Sequence, residues 1–215
     1  MTNLIVKSFV FNAIQENTYI VSDSTKACMI IDPGCYSAAE CNVLADYIKK
    51  EQLRVVGLIN THGHIDHVLG NAFVKQTFSV SLAAHRLCVE EIKSVPLYAS
   101  MYGFPAYQES VVDSFLEEGD TIKFGETALE VLYVPGHAAG HIALYSPIEK
   151  KIFSGDVLFR GSVGRTDLPG GNAQVLIKTI KEKMYALPNE TIVYCGHGQT
   201  TTIGYEKQNN PYVRG

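Results

Sequence analysis

The chain lacks the positive charge that a nucleic-acid binder needs. Its formal net charge is −4 with acidic and basic residues interspersed, so no basic stripe is available to track a phosphate backbone. It also lacks a basic n-region followed by a long apolar run. The opening MTNLIVKSFVFNAIQENTYIV reads instead as one strand followed by another, and no signal peptide is expected. No apolar stretch approaches the length that crosses a bilayer, so no membrane partner is expected. The five cysteines (Cys28, Cys35, Cys41, Cys88, Cys195) are odd in number and without CxxC spacing. That argues against a disulfide framework and fits a reducing cytoplasm. No linker rich in Pro, Gly or Ser and no low-complexity tract divides the sequence.

What remains is a globular composition, 46% hydrophobic and 19% charged over 215 residues. That is enough to bury a core, and the reading is a single domain over 1–215. Alternation of apolar and polar residues through 3–11, resuming at 17–22 and continuing through 28–31 to a turn at Asp32-Pro33-Gly34, predicts a β-meander. Residues 37–52 carry Val43, Leu44, Tyr47 and Ile48 at helical spacing with Ser37 as N-cap. A buried-looking strand, VVGLINT, follows. The second half repeats the plan, with strands near 121–124, 127–134, 141–146 and 151–155, a helix over 173–186 and a last strand at 191–195. The order implies an α/β fold, a four-layer αββα sandwich of two similar halves. Segment 95–118, with Tyr98, Tyr102, Phe104 and Tyr107, fits neither period and is expected to join the halves.

The strongest signal is Thr61-His62-Gly63-His64-Ile65-Asp66-His67, directly after the VVGLINT strand. Neutral imidazoles and a carboxylate are the donors that zinc-type divalent ions take, and four of them within six residues have few other uses. Three later places each offer one more donor beside a glycine at a strand end. They are His137 in VPGHAAGH, Asp156 in IFSGDVLF and His197 in YCGHGQT. Each alone is weak, but together with the main motif they form a constellation.

In this order, HxHxDH, Gly-His, Ser-Gly-Asp and Cys-Gly-His resemble the metallo-β-lactamase superfamily, and the likeness spans nearly the whole chain. The resemblance implies two divalent metal ions, zinc first, with iron or manganese as alternatives. His62, His64 and His137 would hold one ion, and Asp66, His67 and His197 the other. Asp156 would bridge them. LFRGSVGRTDLPGG at 158–171 and CGHGQTTTIGYEKQNNP at 195–211 are similar to the glyoxalase II-like, hydroxyacylglutathione-hydrolase-related branch. That branch implies hydrolysis of a small acyl thioester by a metal-bridging hydroxide, with Asp66 orienting the nucleophile and accepting its proton. The sequence stops soon after the last ligand, without the helical region that supplies glutathione contacts in that branch. Poor affinity for glutathione thioesters is therefore expected.

Two other readings stand beside this one. A mononuclear iron persulfide dioxygenase, similar even in the GRTD stretch, would use two histidines and a carboxylate. A non-catalytic metal-binding protein would be expected to close its ion with four ligands, often thiolates. Of the remaining residues, His141 and Arg165 are candidate substrate contacts. His85 is read as a helix cap or core residue, Cys195 as buried and inert, and the tyrosines of 98–107 as packing residues.

Overall fold

In a computed structural model of the protein, residues 4–214 are described. They fall into two compact units. The first runs to Leu116 and adds Lys123–Ala128, and the second comprises Glu117–Ile122 and the chain from Leu129 onward.

The first unit is built on a six-stranded sheet in the order β1-β2-β3-β4-β5-β6. Strands β1 (Ile5–Phe11), β2 (Glu16–Ser22) and β3 (Ala27–Ile31) form the expected antiparallel meander. β1 is an edge strand and keeps most of its residues exposed, whereas β2 and β3 are buried throughout. After β3 the chain crosses over through helix α1 (Ala38–Lys50) and returns parallel as β4 (Arg54–Ile59), with β5 (Leu82–Ala84) and β6 (Ser114–Phe115) added parallel beyond it. A parallel sheet covered on both faces asks for continuous apolar strands, which is how ACMII and GLI read.

Helix α1 starts where the sequence says. Ser37 Oγ accepts the Glu40 N–H while the Glu40 carboxylate accepts the Ser37 N–H, a complete capping box. Leu44 and Ile48 face the core, but Val43 is 51% exposed. The apolar stripe is thus narrower than the spacing of four apolar residues implied. Beyond β4 come α2 (Ile65–Val68), α3 (Asn71–Phe78) and α4 (Cys88–Tyr98). Segment 95–118 holds the end of α4, a 3₁₀ turn at Ala99–Tyr102 closed by Gly103 at φ +87°, and β6.

A second six-stranded sheet has the order β14-β13-β10-β9-β8-β7. Its strands are β7 (Thr121–Phe124), β8 (Thr127–Tyr133), β9 (Ile142–Ser146), β10 (Lys151–Gly155), β13 (Ile192–Cys195) and β14 (Thr201–Thr202). A small hairpin, β11 (Leu158–Phe159) and β12 (Ser162–Val163), follows β10. Helix α5 (Ala173–Thr179) is capped by Asn172 and crosses to β13, which lies parallel to β10. The helix expected over 173–186 does not stay α-helical, because Ile180–Met184 form a π turn. The hairpin, β14 and the last helix α6 (Ile203–Asn209) carry too few apolar residues to show a period. Among the described residues, no helix is long and apolar enough to cross a membrane.

Candidate metal centre

In the first unit the motif emerges from the C-terminal end of β4, and buried polar groups shape its path. Asn60 Nδ2 donates to the His67 carbonyl at 3.0 Å and to Asn71 Oδ1 at 3.2 Å, and Asn71 Nδ2 donates back to Asn60 Oδ1 at 2.7 Å. This reciprocal amide pair closes the loop from Thr61 to α3. Gly63 is needed for packing: a Cβ there would lie 2.6 Å from Cβ of Glu91, whose Oε2 accepts the Gly63 N–H. The close neighbour is therefore helix α4.

The loop brings three imidazoles together. The ring centroids of His62 and His64 are 4.7 Å apart, and those of His62 and His67 are 4.2 Å apart. His62 and His67 are fully buried and Asp66 is nearly so. His64 is half-buried as the N-cap residue of α2. Asp66 Oδ2 stands 3.6 Å from His67 Nε2.

The tautomers follow from the hydrogen bonds. Asp32, at the end of β3, accepts the Thr61 N–H on Oδ1 at 2.7 Å and the Thr61 hydroxyl on Oδ2 at 2.6 Å. Having given its proton to Asp32, the Thr61 hydroxyl can only accept from His62 Nδ1, 3.1 Å away. Asp32 Oδ2 also accepts from His67 Nδ1 at 3.1 Å. Both rings thus carry their proton on Nδ1 and present Nε2 with a lone pair, the form that ligates a cation. Asp32, His62 and His67 are themselves close enough to offer ligand atoms within 4.8 Å of one another. Behind them lies Glu16, fully buried, with Oε2 accepting from Thr18 Oγ1 and Oε1 3.9 Å from His67 Nδ1. Burial pushes its carboxyl well above the ordinary carboxylate range, an effect that His67 partly offsets.

The second unit assembles its own donors. Asp156 follows β10 and His197 follows β13, so both leave the C-terminal ends of parallel neighbours. Asp156 Oδ2 lies 3.6 Å from His137 Nε2 and 3.5 Å from His197 Nε2. One carboxylate oxygen therefore faces two imidazole nitrogens. His137 Nδ1 donates to the Arg165 carbonyl at 2.7 Å, which leaves Nε2 as the donor here too. Gly164 is tightly enclosed there: a Cβ on it would lie 1.9 Å from the Asp156 carbonyl oxygen and 3.0 Å from His137 Nδ1.

The lesser candidates of the sequence find these places. His141 has no exposed surface; its Nδ1 meets the Ile142 carbonyl at 3.1 Å and its Nε2 accepts the Asp156 N–H at 3.0 Å. It holds the Asp156 backbone. The Arg165 side chain is exposed and forks onto Asp167, with Nε and Nη2 at 2.8 and 2.7 Å from the two oxygens. That pairing holds the Asp167 carboxyl down to about 2. His85 accepts the Leu87 N–H on Nδ1 at the start of α4, a local turn contact. Cys195 is buried and its thiol is pushed up to about 12 by that burial. Tyr98 and Tyr107 pack against an apolar cluster that includes Val95 and Phe104.

Asp32, Glu16 and Asn60 were not anticipated as site residues. Asp32 reads as the first residue of a turn, and Asn60 as the tail of a strand. The signal was an acidic residue ending the strand that pairs with the one leading into the histidine motif, and that pairing is not written in the sequence.

The metallo-β-lactamase superfamily model matches residues 12–197, a span that contains every one of these donors. The chain belongs to the metallo-β-lactamase superfamily. Its α/β class with two sheets and helices is the superfamily's fold; the superfamily binds divalent metals, and His/Asp clusters that could hold one are present here. Hydroxyacylglutathione hydrolase GloC of Haemophilus influenzae is 37% identical, over 94% of this chain and 94% of that protein. This places the chain near the glyoxalase II-like branch of the superfamily. Among solved structures, the BLEG-1 B3 metallo-β-lactamase superposes with TM-score 0.90 at 33% identity, covering 98% of this chain and 100% of that one. TTHA1623, solved in a di-iron-bound form, superposes with TM-score 0.85 at 35% identity, covering 96% and 100%.

Proposed function

We propose that the protein is a two-metal hydrolase of small acyl thioesters. The observation that carries this reading is the orientation of the imidazoles: Nδ1 of His62, His67 and His137 each meets an oxygen, which leaves Nε2 of each ring for a cation. A donor set of imidazoles and carboxylates suits zinc, and also iron or manganese. In this reading His62, His64 and His137 would hold one ion and Asp66, His67 and His197 the other, with Asp156 as a ligand that would serve both. The name of the Haemophilus influenzae relative supports thioesters as the substrate class.

When bound, such ions would make a water more acidic and would polarise the carbonyl under attack. Asp66 orients the attacking water and takes its proton, then returns it to the departing sulfur, so that acid and thiol leave together. Asp32 and Thr61 keep His67 and His62 in the ligating tautomer, and His141 fixes the backbone from which Asp156 projects. A cytoplasmic location belongs to the same reading, supported by five free thiols.

The test is thiol release from acyl thioesters under anaerobic conditions, with and without a chelator. Release without oxygen that the chelator stops is the expected result. Oxygen uptake with a persulfide and no thioester cleavage would replace the reading with the dioxygenase one. Faster opening of a β-lactam than of any thioester would move the substrate class.

A further inference from the structure

We propose that Asn12 is a positioning residue for Asp66 and His67, clamping the histidine loop onto the turn that follows β3. Asn12 opens the turn between β1 and β2 at φ 54°, a left-handed conformation that asparagine tolerates. Its backbone N–H donates to Glu40 Oε1 at 2.7 Å, which ties the turn to the start of α1. Its Oδ1 accepts the Ile14 N–H at 2.9 Å, and this fixes which way the amide faces. Nδ2 then donates to two carbonyls far along the chain, that of Gly34 at 3.0 Å and that of Asp66 at 3.1 Å. One side-chain amide thus joins three segments of the first unit.

The Asp66 carbonyl, on a buried residue, needs such a donor. Helix α2 lasts only from Ile65 to Val68. A longer helix would bring the Gly70 N–H to Asp66, but here that N–H donates to the Pro33 carbonyl at 2.7 Å. Asn12 supplies what the helix gives up. Gly34 shows how closely the groups converge: a Cβ there would lie 2.7 Å from both Asn12 Nδ2 and the Asp66 carbonyl oxygen. Any side chain at Gly34 would part the turn from the loop.

The clamp runs beside the hydrogen bond that orients His67. Gly34 follows Asp32 by two residues and Asp66 precedes His67 by one, so Asn12 bridges the same two segments as the Asp32–His67 contact of 3.1 Å. Two ties, an amide between carbonyls and a carboxylate on an imidazole, hold one loop against the other. Without the amide the Asp66 backbone is released and His67 is held by Asp32 alone from that side. The consequence for metal binding rests on the function proposed above, in which Asp66 and His67 serve the same ion. The consequence for the His67 ring does not.

Metal-free protein would be titrated with cobalt(II), read by visible absorption, and its histidine ring nitrogens would be isotope-labelled for NMR. Asn12→Gly keeps the left-handed backbone and removes the amide. Asn12→Asp keeps the size and sets an acceptor against both carbonyls; circular dichroism checks that each variant folds. The cobalt equivalent that His197→Ala abolishes should bind about 10-fold more weakly in both Asn12 variants, with the other equivalent unchanged. In the metal-free variants the His67 Nδ1–H resonance should shift and exchange with water several-fold faster, while that of His137 stays in place. An unmoved His67 resonance in both variants overturns the proposal, as does equal weakening of the two equivalents. A wild type that takes up a single equivalent refutes the two-ion reading alone, and the clamp then stands or falls with the His67 resonance.

Discussion

Asp32 and His67 are 35 residues apart in the chain and meet through one hydrogen bond of 3.1 Å, Oδ2 to Nδ1, inside the first unit. Asp32 adopts φ 49°, a left-handed conformation that Asn and Asp tolerate best among residues with a Cβ. The turn it begins is thus also what aims its carboxylate at Thr61 and His67.

Asp32→Asn keeps the size and the backbone preference but turns one acceptor into a donor facing His67 Nδ1–H. The imidazole would then have to give up its tautomer or its place. Metal affinity should fall by about 10- to 100-fold with folding intact. Competition against a chromogenic chelator measures it, and an unchanged affinity would show that Asp32 does not tune the ligand.

Asp156→Ala and His197→Ala should differ in stoichiometry. The Asp156 oxygen faces both His137 and His197, at 3.6 and 3.5 Å, so its loss should deplete both ions. His197→Ala should chiefly empty one. Elemental analysis of each purified variant decides this, and wild-type metal content in Asp156→Ala would refute the bridging role.

Glu206 should matter to folding. It is fully buried, and its carboxylate accepts from the Gly161 N–H and Asn210 Nδ2 at 3.0 and 2.8 Å, as well as from the Thr201 hydroxyl. Glu206→Gln sets an amide donor against those donors, and the loss should be about 1–3 kcal/mol. Urea denaturation reads it. A midpoint equal to wild type would mean that the network rearranges without cost.

Acid should weaken the first unit through Asp23. Burial raises the carboxyl of Asp23, but donors on Thr25, Glu126 and Thr127 outweigh it, so the group stays below its ordinary value. A depressed carboxyl stabilises the fold above the unfolded pKa of about 3.9 and loses that contribution as pH falls through the folded value. The stability gap between wild type and Asp23→Asn should hold near pH 6 and shrink below about pH 4. A gap independent of pH in urea titrations would assign the effect to shape alone.

The candidate donors could be read from the sequence because they are identities at fixed spacing. His62, His64, Asp66 and His67 stand within six residues, and His137, Asp156 and His197 each sit beside a glycine after an apolar run. Apolar alternation and the capping residue Ser37 likewise set the meander and the start of α1, since both depend on near neighbours only. Folding decided what long-range pairing decides. Asp32 reaches Thr61 and His67 because β3 and β4 pair in parallel. The Arg165 carbonyl reaches His137 through the β11–β12 hairpin and Gly164, not through its charged side chain. A hydrogen bond between residues tens of positions apart leaves no period in the sequence. The sequence therefore named the candidate donors, while the tertiary structure decided which oxygen each Nδ1 meets and gave His141 to the Asp156 backbone.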